Sequence, residues 1–165
     1  MATARHSRLD AIDIKILAAL QQEGRMTVQK LAGKVGLSPR PCLERVRRLE
    51  TDGVIAGYRA VIAIERLSKP VTVIADIALQ SQARRDRVEK RLAAIDEVVE
   101  CWEVSGAFDY VARFVCADLS RYEAITTELL DDETLGVARL VSQIVLRPVR
   151  RFAGYPTALL KRPSG

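Results

Sequence analysis

Histidine is almost missing from the chain: 165 residues hold one, His6. A Ser-His-Asp triad would rest on that single residue near the N-terminus, and a His/Cys metal site has no second imidazole. Cysteine is scarce too. Cys42, Cys101 and Cys116 make an odd set without CxxC spacing, so no disulfide framework is expected. Cys101 and Cys116 sit in apolar, strand-like stretches and read as buried, inert thiols. Aromatic residues are 5% of the chain, which argues against holding single strands by base stacking. No apolar run approaches the ~18 residues that cross a bilayer, and the arginines of residues 1–9 are followed by Asp10 and Asp13 rather than by an apolar h-region. The expected location is the cytoplasm, in contact with the nucleoid and with no membrane partner. There is no P-loop and no GxGxxG fingerprint. An enzyme is not expected, nor a cofactor, a metal site or catalytic residues.

What is present is charge with a position. Lys+Arg number 26 and Asp+Glu 21, a net +5 in a chain that is 48% apolar. Residues 1–60 contain eleven Lys/Arg and six Asp/Glu, and so account for the whole +5; residues 61–165 hold fifteen of each. Within the second part, 61–133 is acidic and 134–165 has six basic residues and no acidic one. A basic first segment joined to a balanced second one suggests nucleic-acid contact by the first, double-stranded DNA being the partner expected once the helices below are read. A solvated basic face gives the same count, so charge alone does not decide.

Periodicity carries the reading further. Leu9, Ile12, Ile16, Leu17 and Leu20 follow helical spacing, with Asp10 as N-cap and Asp13 as a favourable charge in the first turn. Thr27 caps a second, short helix whose apolar face is Val28, Leu31, Ala32 and Val35 and whose stop is Gly36; Lys30 stands where a capping box wants Glu. A third helix runs from Ser38 to Asp52, with Ser38 as cap and Pro39 and Pro41 in its first turn. This is a helix-turn-helix layout. On the third helix Cys42, Leu43, Val46 and Leu49 share one face; Arg40, Glu44, Arg47 and Arg48 share the other, with Arg45 on the flank. Ser38, Arg40, Glu44, Arg45, Arg47 and Arg48 are the candidate DNA contacts. Arg40, Glu44 and Arg45 are placed for base edges, Arg47 and Arg48 for phosphates. After Gly53, VIAGYRAVIAI reads as a hairpin wing whose second strand continues as the connection to the next domain.

From Val71 to Leu79 the odd positions are apolar, which is strand periodicity. A helix with Val88, Leu92 and Ile95 follows, then strands near 98–104 and 110–116 around the turn 105–109. A helix capped by Ser120 and Glu123 buries Tyr122, Ile125 and Leu129, and a last strand spans 137–146. The order βαββαβ is ferredoxin-like. Its two helices lie on one face of an antiparallel sheet, and the other face, with Trp102, needs cover that a second protomer can supply. The fold class is α+β: a winged helix-turn-helix over 1–60, a ferredoxin-like domain over 61–151 and a tail over 152–165.

The string GLSPRPCLERVRRLE (36–50) and the downstream VSGAFDY (104–110), at this separation, resemble the Lrp/AsnC family of feast/famine regulators. The resemblance covers about Leu9 to Arg151. It implies a DNA-binding transcription regulator whose second domain dimerises and senses an amino acid or related metabolite, with homodimers assembling into octamers or related rings. It further implies an effector site between dimers around the turn of the second and third strands, here Ser105, Gly106 and Asp109, opposite Gln143, Ile144 and Val145 of the last strand. Gly106 can expose N–H groups to a carboxylate and Asp109 can pair with an ammonium; equally, Gly106 can be a plain turn residue and Asp109 its hydrogen-bonded neighbour. Ala107 and Gln143 depart from the acidic residue and the Tyr common in relatives, which leaves the effector's identity open. An architectural, nucleoid-type DNA binder without an effector is the alternative.

Overall fold

The computed structural model describes residues 9–160; His6 lies outside them. These residues form two compact units, one running to Val61 and including the segment from Arg150 onward, the other Ile62–Val149.

In the first unit α1 (Ala11–Gln22) opens on a reciprocal cap. The Asp10 carboxylate accepts from the Ile12 and Asp13 backbone N–H groups, both at 2.8 Å, and the Asp13 carboxylate accepts from Asp10 N at 3.0 Å. Aspartate therefore occupies both places of a capping box. Thr27 Oγ1 caps α2 (Val28–Val35) by accepting from Lys30 N. Lys30 itself reaches Glu23 at 2.7 Å, so the residue that cannot complete the box ties α2 to the end of α1. Gly36 stops α2 at φ 76°, a left-handed conformation that glycine adopts without a Cβ clash.

Helix α3 (Pro39–Thr51) starts from Ser38 in extended geometry, without a side-chain cap hydrogen bond. The expected Ser38 cap fails for a local reason: the third helical residue, a usual N–H donor to a capping oxygen, is Pro41. Ile16, Leu17, Leu31, Ala32, Val35, Cys42 and Leu49 form the core of the unit. The C-terminal segment returns to it, with Leu160 of the short α6 (Thr157–Leu160) packed on this cluster. Tyr155 N donates to Gln21 Oε1 at 2.6 Å, and Gln21 Nε2 donates back to Tyr155 O at 3.3 Å.

The wing differs from expectation. Residues 54–63 form no ladder; the segment is irregular, with Val61 95% exposed. Its alternating apolar residues have β propensity, but a strand needs a hydrogen-bonded neighbour and the described chain brings none alongside. Tyr58 anchors the segment by donating to Glu50 Oε1 at 2.9 Å. Burial and the adjacent carboxylate push the Tyr58 hydroxyl up to about 12.

The second unit runs β1 (Val71–Leu79), α4 (Arg85–Ala93), β2 (Val98–Glu103), β3 (Tyr110–Cys116), α5 (Leu119–Asp131) and β4 (Val137–Ile144). The sheet order is β2-β3-β1-β4, with every neighbouring pair antiparallel. Val73, Ala75 and Ile77 of β1 and Tyr110, Ala112, Phe114 and Cys116 of β3 face Val88, Leu92, Tyr122, Ile125 and Leu129 of the helices. Phe114 and Tyr122 meet edge to face at 5.3 Å, and the Tyr122 hydroxyl shares a 2.6 Å hydrogen bond with Ser142. Asp118, not Ser120, caps α5, accepting from Arg121 N at 2.8 Å. The carboxylate two positions earlier reaches the free N–H first, which leaves Ser120 inside the first turn. Cys116 is buried, but Cys101 is exposed, because β2 is an edge strand and no element lies beyond it.

The aromatic centre of this core makes a direct test. Phe114→Ala should lower the stability of the Ile62–Val149 unit by about 3–5 kcal/mol in urea unfolding followed by Trp102 fluorescence.

Candidate DNA-reading face and effector turn

The turn between α2 and α3 consists of Gly36, Leu37 and Ser38, the short connection of a helix-turn-helix. Cys42 and Leu49 are buried beneath α3, while Arg40, Glu44, Arg47 and Arg48 are exposed, as the helical spacing requires. The Arg40 side chain is 91% exposed and stands 3.4 Å from Glu44, one turn on.

Arg45 and Arg48, both candidate DNA contacts by helical spacing, are engaged in ion pairs within the unit. Arg45 Nη1 lies 2.6 Å from Asp10 Oδ2 and 2.9 Å from Asp13 Oδ1. Arg48 Nη2 lies 2.6 Å from Asp13 Oδ2. Asp13 has no exposed surface. It is more than a charge at the start of a helix: it holds two guanidinium groups of the next-but-one helix. Its own backbone N–H and the Arg45 guanidinium keep the Asp10 carboxyl below the usual carboxylate range. Aspartates three apart on α1 and arginines three apart on α3 each share a helix face, and that matched spacing was the available signal.

The turn between β2 and β3 places Ser105 and Gly106 in the open, and Gly106 has φ 123° with nothing within 4 Å of where a Cβ would stand. Asp109 is occupied. Its carboxylate accepts from Leu79 N at 2.7 Å and from the Gln82 amide. These bonds hold its pKa below the ordinary value, the Leu79 backbone N–H contributing most. Two contributors were not read from sequence: Gln82, and Arg139, whose guanidinium sits 4.6 Å above the Phe108 ring.

Within one chain the two halves of the expected effector site do not meet. Asp109 N donates to Ile77 O, whereas Gln143 pairs with Ile74 and Val145 N donates to Thr72 O. At roughly 3.3 Å per residue, those positions are ~10–17 Å apart along β1.

Residues 9–56 match the family model described as winged helix-turn-helix DNA-binding, and residues 72–154 match the Lrp/AsnC ligand binding domain. The chain belongs to the Lrp/AsnC family. The leucine-responsive regulatory protein of Haemophilus influenzae is 48% identical over 128 residues, 76% of each protein. The Bkd operon transcriptional regulator of Pseudomonas aeruginosa is 41% identical over 145 residues, covering 87% of this chain and 94% of that protein. Among solved structures, a transcriptional regulator of Neisseria meningitidis in complex with L-Met superposes with TM-score 0.84 at 28% identity, over 92% of this chain and 99% of the other. An AsnC family regulator of Agrobacterium tumefaciens gives the same TM-score at 29% identity, with the same coverage. This Lrp/AsnC member is thus a transcriptional regulator with a DNA-binding domain and a ligand-binding domain, and the matches are to regulators rather than to enzymes. Among the described residues no helix is long and apolar enough to cross a membrane.

Because Asp109 is held below its ordinary pKa, its contribution to stability is complete above the ordinary carboxyl value and is lost as pH falls through the lower, folded one. Asp109→Asn should cost about 1 kcal/mol at neutral pH. It should also flatten the loss of stability below about pH 4; urea unfolding at a series of pH values measures both.

Proposed function

We propose that this Lrp/AsnC regulator reads duplex DNA with the exposed face of α3 and responds to an amino acid or a closely related metabolite, acting as a homodimer that assembles further to an octamer. The exposed, arginine-bearing face of α3 carries the reading. Ser38, Arg40, Glu44 and Arg47 lie on its solvent side, with Arg40 and Glu44 near the end that enters a major groove. Arg45 and Arg48, held by Asp10 and Asp13, support the pose of the helix. Two-fold pairing sets half-sites about one helical turn apart. The protein works in the cytoplasm, on the nucleoid.

The effector sits where two copies meet. Backbone N–H groups at Ser105 and Gly106 receive the α-carboxylate, and Asp109 retains lone pairs for the α-ammonium beyond its bonds to Leu79 and Gln82. Gln143, Ile144 and Val145 come from a facing copy, a reading supported by their distance from the turn in one chain. The L-Met complex of the Neisseria meningitidis regulator supports an amino acid as the ligand class. The ligand acts by favouring one arrangement of the DNA-binding units over another, since equal affinity for both would shift nothing.

Assembly is supported by the sheet face away from α4 and α5, where Trp102 is 49% and Val141 38% exposed. Trp102→Glu should reduce the particle to smaller species in size-exclusion chromatography with light scattering.

A thermal-shift screen of the full chain against the twenty amino acids tests the effector. A ligand at 100 times its dissociation constant adds about 2.7 kcal/mol. Gly106→Val should abolish that shift while leaving ligand-free DNA affinity unchanged. A flat screen together with DNA binding of weak sequence preference would replace this reading by an architectural one.

A further inference from the structure

The Asp10–Asp13–Arg45–Arg48 cluster has more order than packing of the first unit requires. Asp13 has no exposed surface, yet each of its oxygens meets a different arginine, and one of them also accepts the Asp10 backbone N–H. Arg45 bridges both aspartates with one nitrogen. An unpaired buried carboxylate would be costly, so the geometry is self-enforcing: Asp13 keeps both guanidinium groups only if α3 lies against α1 in this pose. The side chains of Arg45 and Arg48 nevertheless remain 27% and 43% exposed. They border the reading face, within reach of any backbone laid along it. Phosphate and carboxylate compete for the same fork of donors.

We propose that Asp13 is a specificity-determining residue: its carboxylate occupies Arg45 and Arg48 as an internal stand-in for phosphate and so restrains sequence-independent DNA binding. Asp10 shares Arg45 and reinforces the restraint. The exposed Arg40, Glu44 and Arg47 are left to contact the duplex, and the energy of docking depends more on base edges than it would with two further arginines on the backbone. This inference rests on α3 being the DNA reader. It adds a sign that the reading alone does not contain, because removing a buried anchoring charge should strengthen one kind of binding while weakening discrimination.

The test uses the full chain, a duplex enriched from a random pool by the wild-type protein, and a scrambled duplex of the same composition. Affinities are measured by fluorescence anisotropy over a series of salt concentrations. Asp13→Asn should bind the scrambled duplex more tightly than wild type, with a salt slope steeper by up to about two, since each phosphate newly contacted adds about 0.9. The ratio of affinities for the enriched and scrambled duplexes should fall several-fold. Equal weakening on both duplexes would overturn the proposal and reduce Asp13 to a structural anchor. Should Asp13→Asn fail to fold by circular dichroism, Arg48→Gln decides: the proposal requires an unchanged salt slope, and a slope shallower by about one would mean that Arg48 grips phosphate in the wild type and would overturn it. Wild-type protein without salt-dependent duplex binding would instead remove the reading of α3 on which the proposal stands.

Discussion

Two helices cover one face of a four-stranded sheet, and the second unit has no other layer to offer. Alternation along β1 and β3 sends Val73, Ala75, Ile77, Tyr110, Ala112 and Phe114 to α4 and α5. The same alternation sends Ile74, Val111 and, across the bulge in β2, Trp102 to the opposite face. A strand of period two cannot bury one face without presenting the other. The proposed assembly, and with it the proposed placement of an effector between copies, rests on that uncovered face.

The sheet also separates the parts of the proposed effector site. The β2–β3 turn belongs to the Leu79 end of β1 through Asp109, and Gln143–Val145 belong to the Thr72 end. In an antiparallel order of β2-β3-β1-β4 these positions cannot come together in one chain. Under the proposed function, a ligand bridging such elements from two copies would report on their assembly.

The first unit obeys a different constraint, the need to pair buried charge. Its core is small, with Ile16, Leu31, Cys42 and Leu49 at the centre. The orientation of α3 on α1 is therefore specified by the aspartates and arginines at its margin as well as by apolar contact. The return of the tail, with Leu160 on the same core and Tyr155 on Gln21, adds a contact from the far end of the chain.

Helices and strands were largely legible in the residues, because each buries one face and the apolar spacing records which. Strand β1 runs over the same Val71–Leu79 that alternation indicates, and Val88, Leu92, Tyr122, Ile125 and Leu129 are buried as read. The misreadings share a cause. The wing has β-branched residues but no neighbouring strand; Ser38 has a capping side chain but no donor at Pro41; Ser120 has its partner three residues on but Asp118 ahead of it. Each depends on which partner is within reach, and spacing along the chain records only which partners are possible. The arginines illustrate the same limit. Sequence by itself determined that α3 carries a basic face, that charge gathers in the first sixty residues and that a glycine opens the β2–β3 turn. Only the tertiary structure decided that Arg45 and Arg48 belong to Asp13 and that Asp109 is already hydrogen-bonded, because an ion pair between residues more than thirty positions apart is settled by how helices pack.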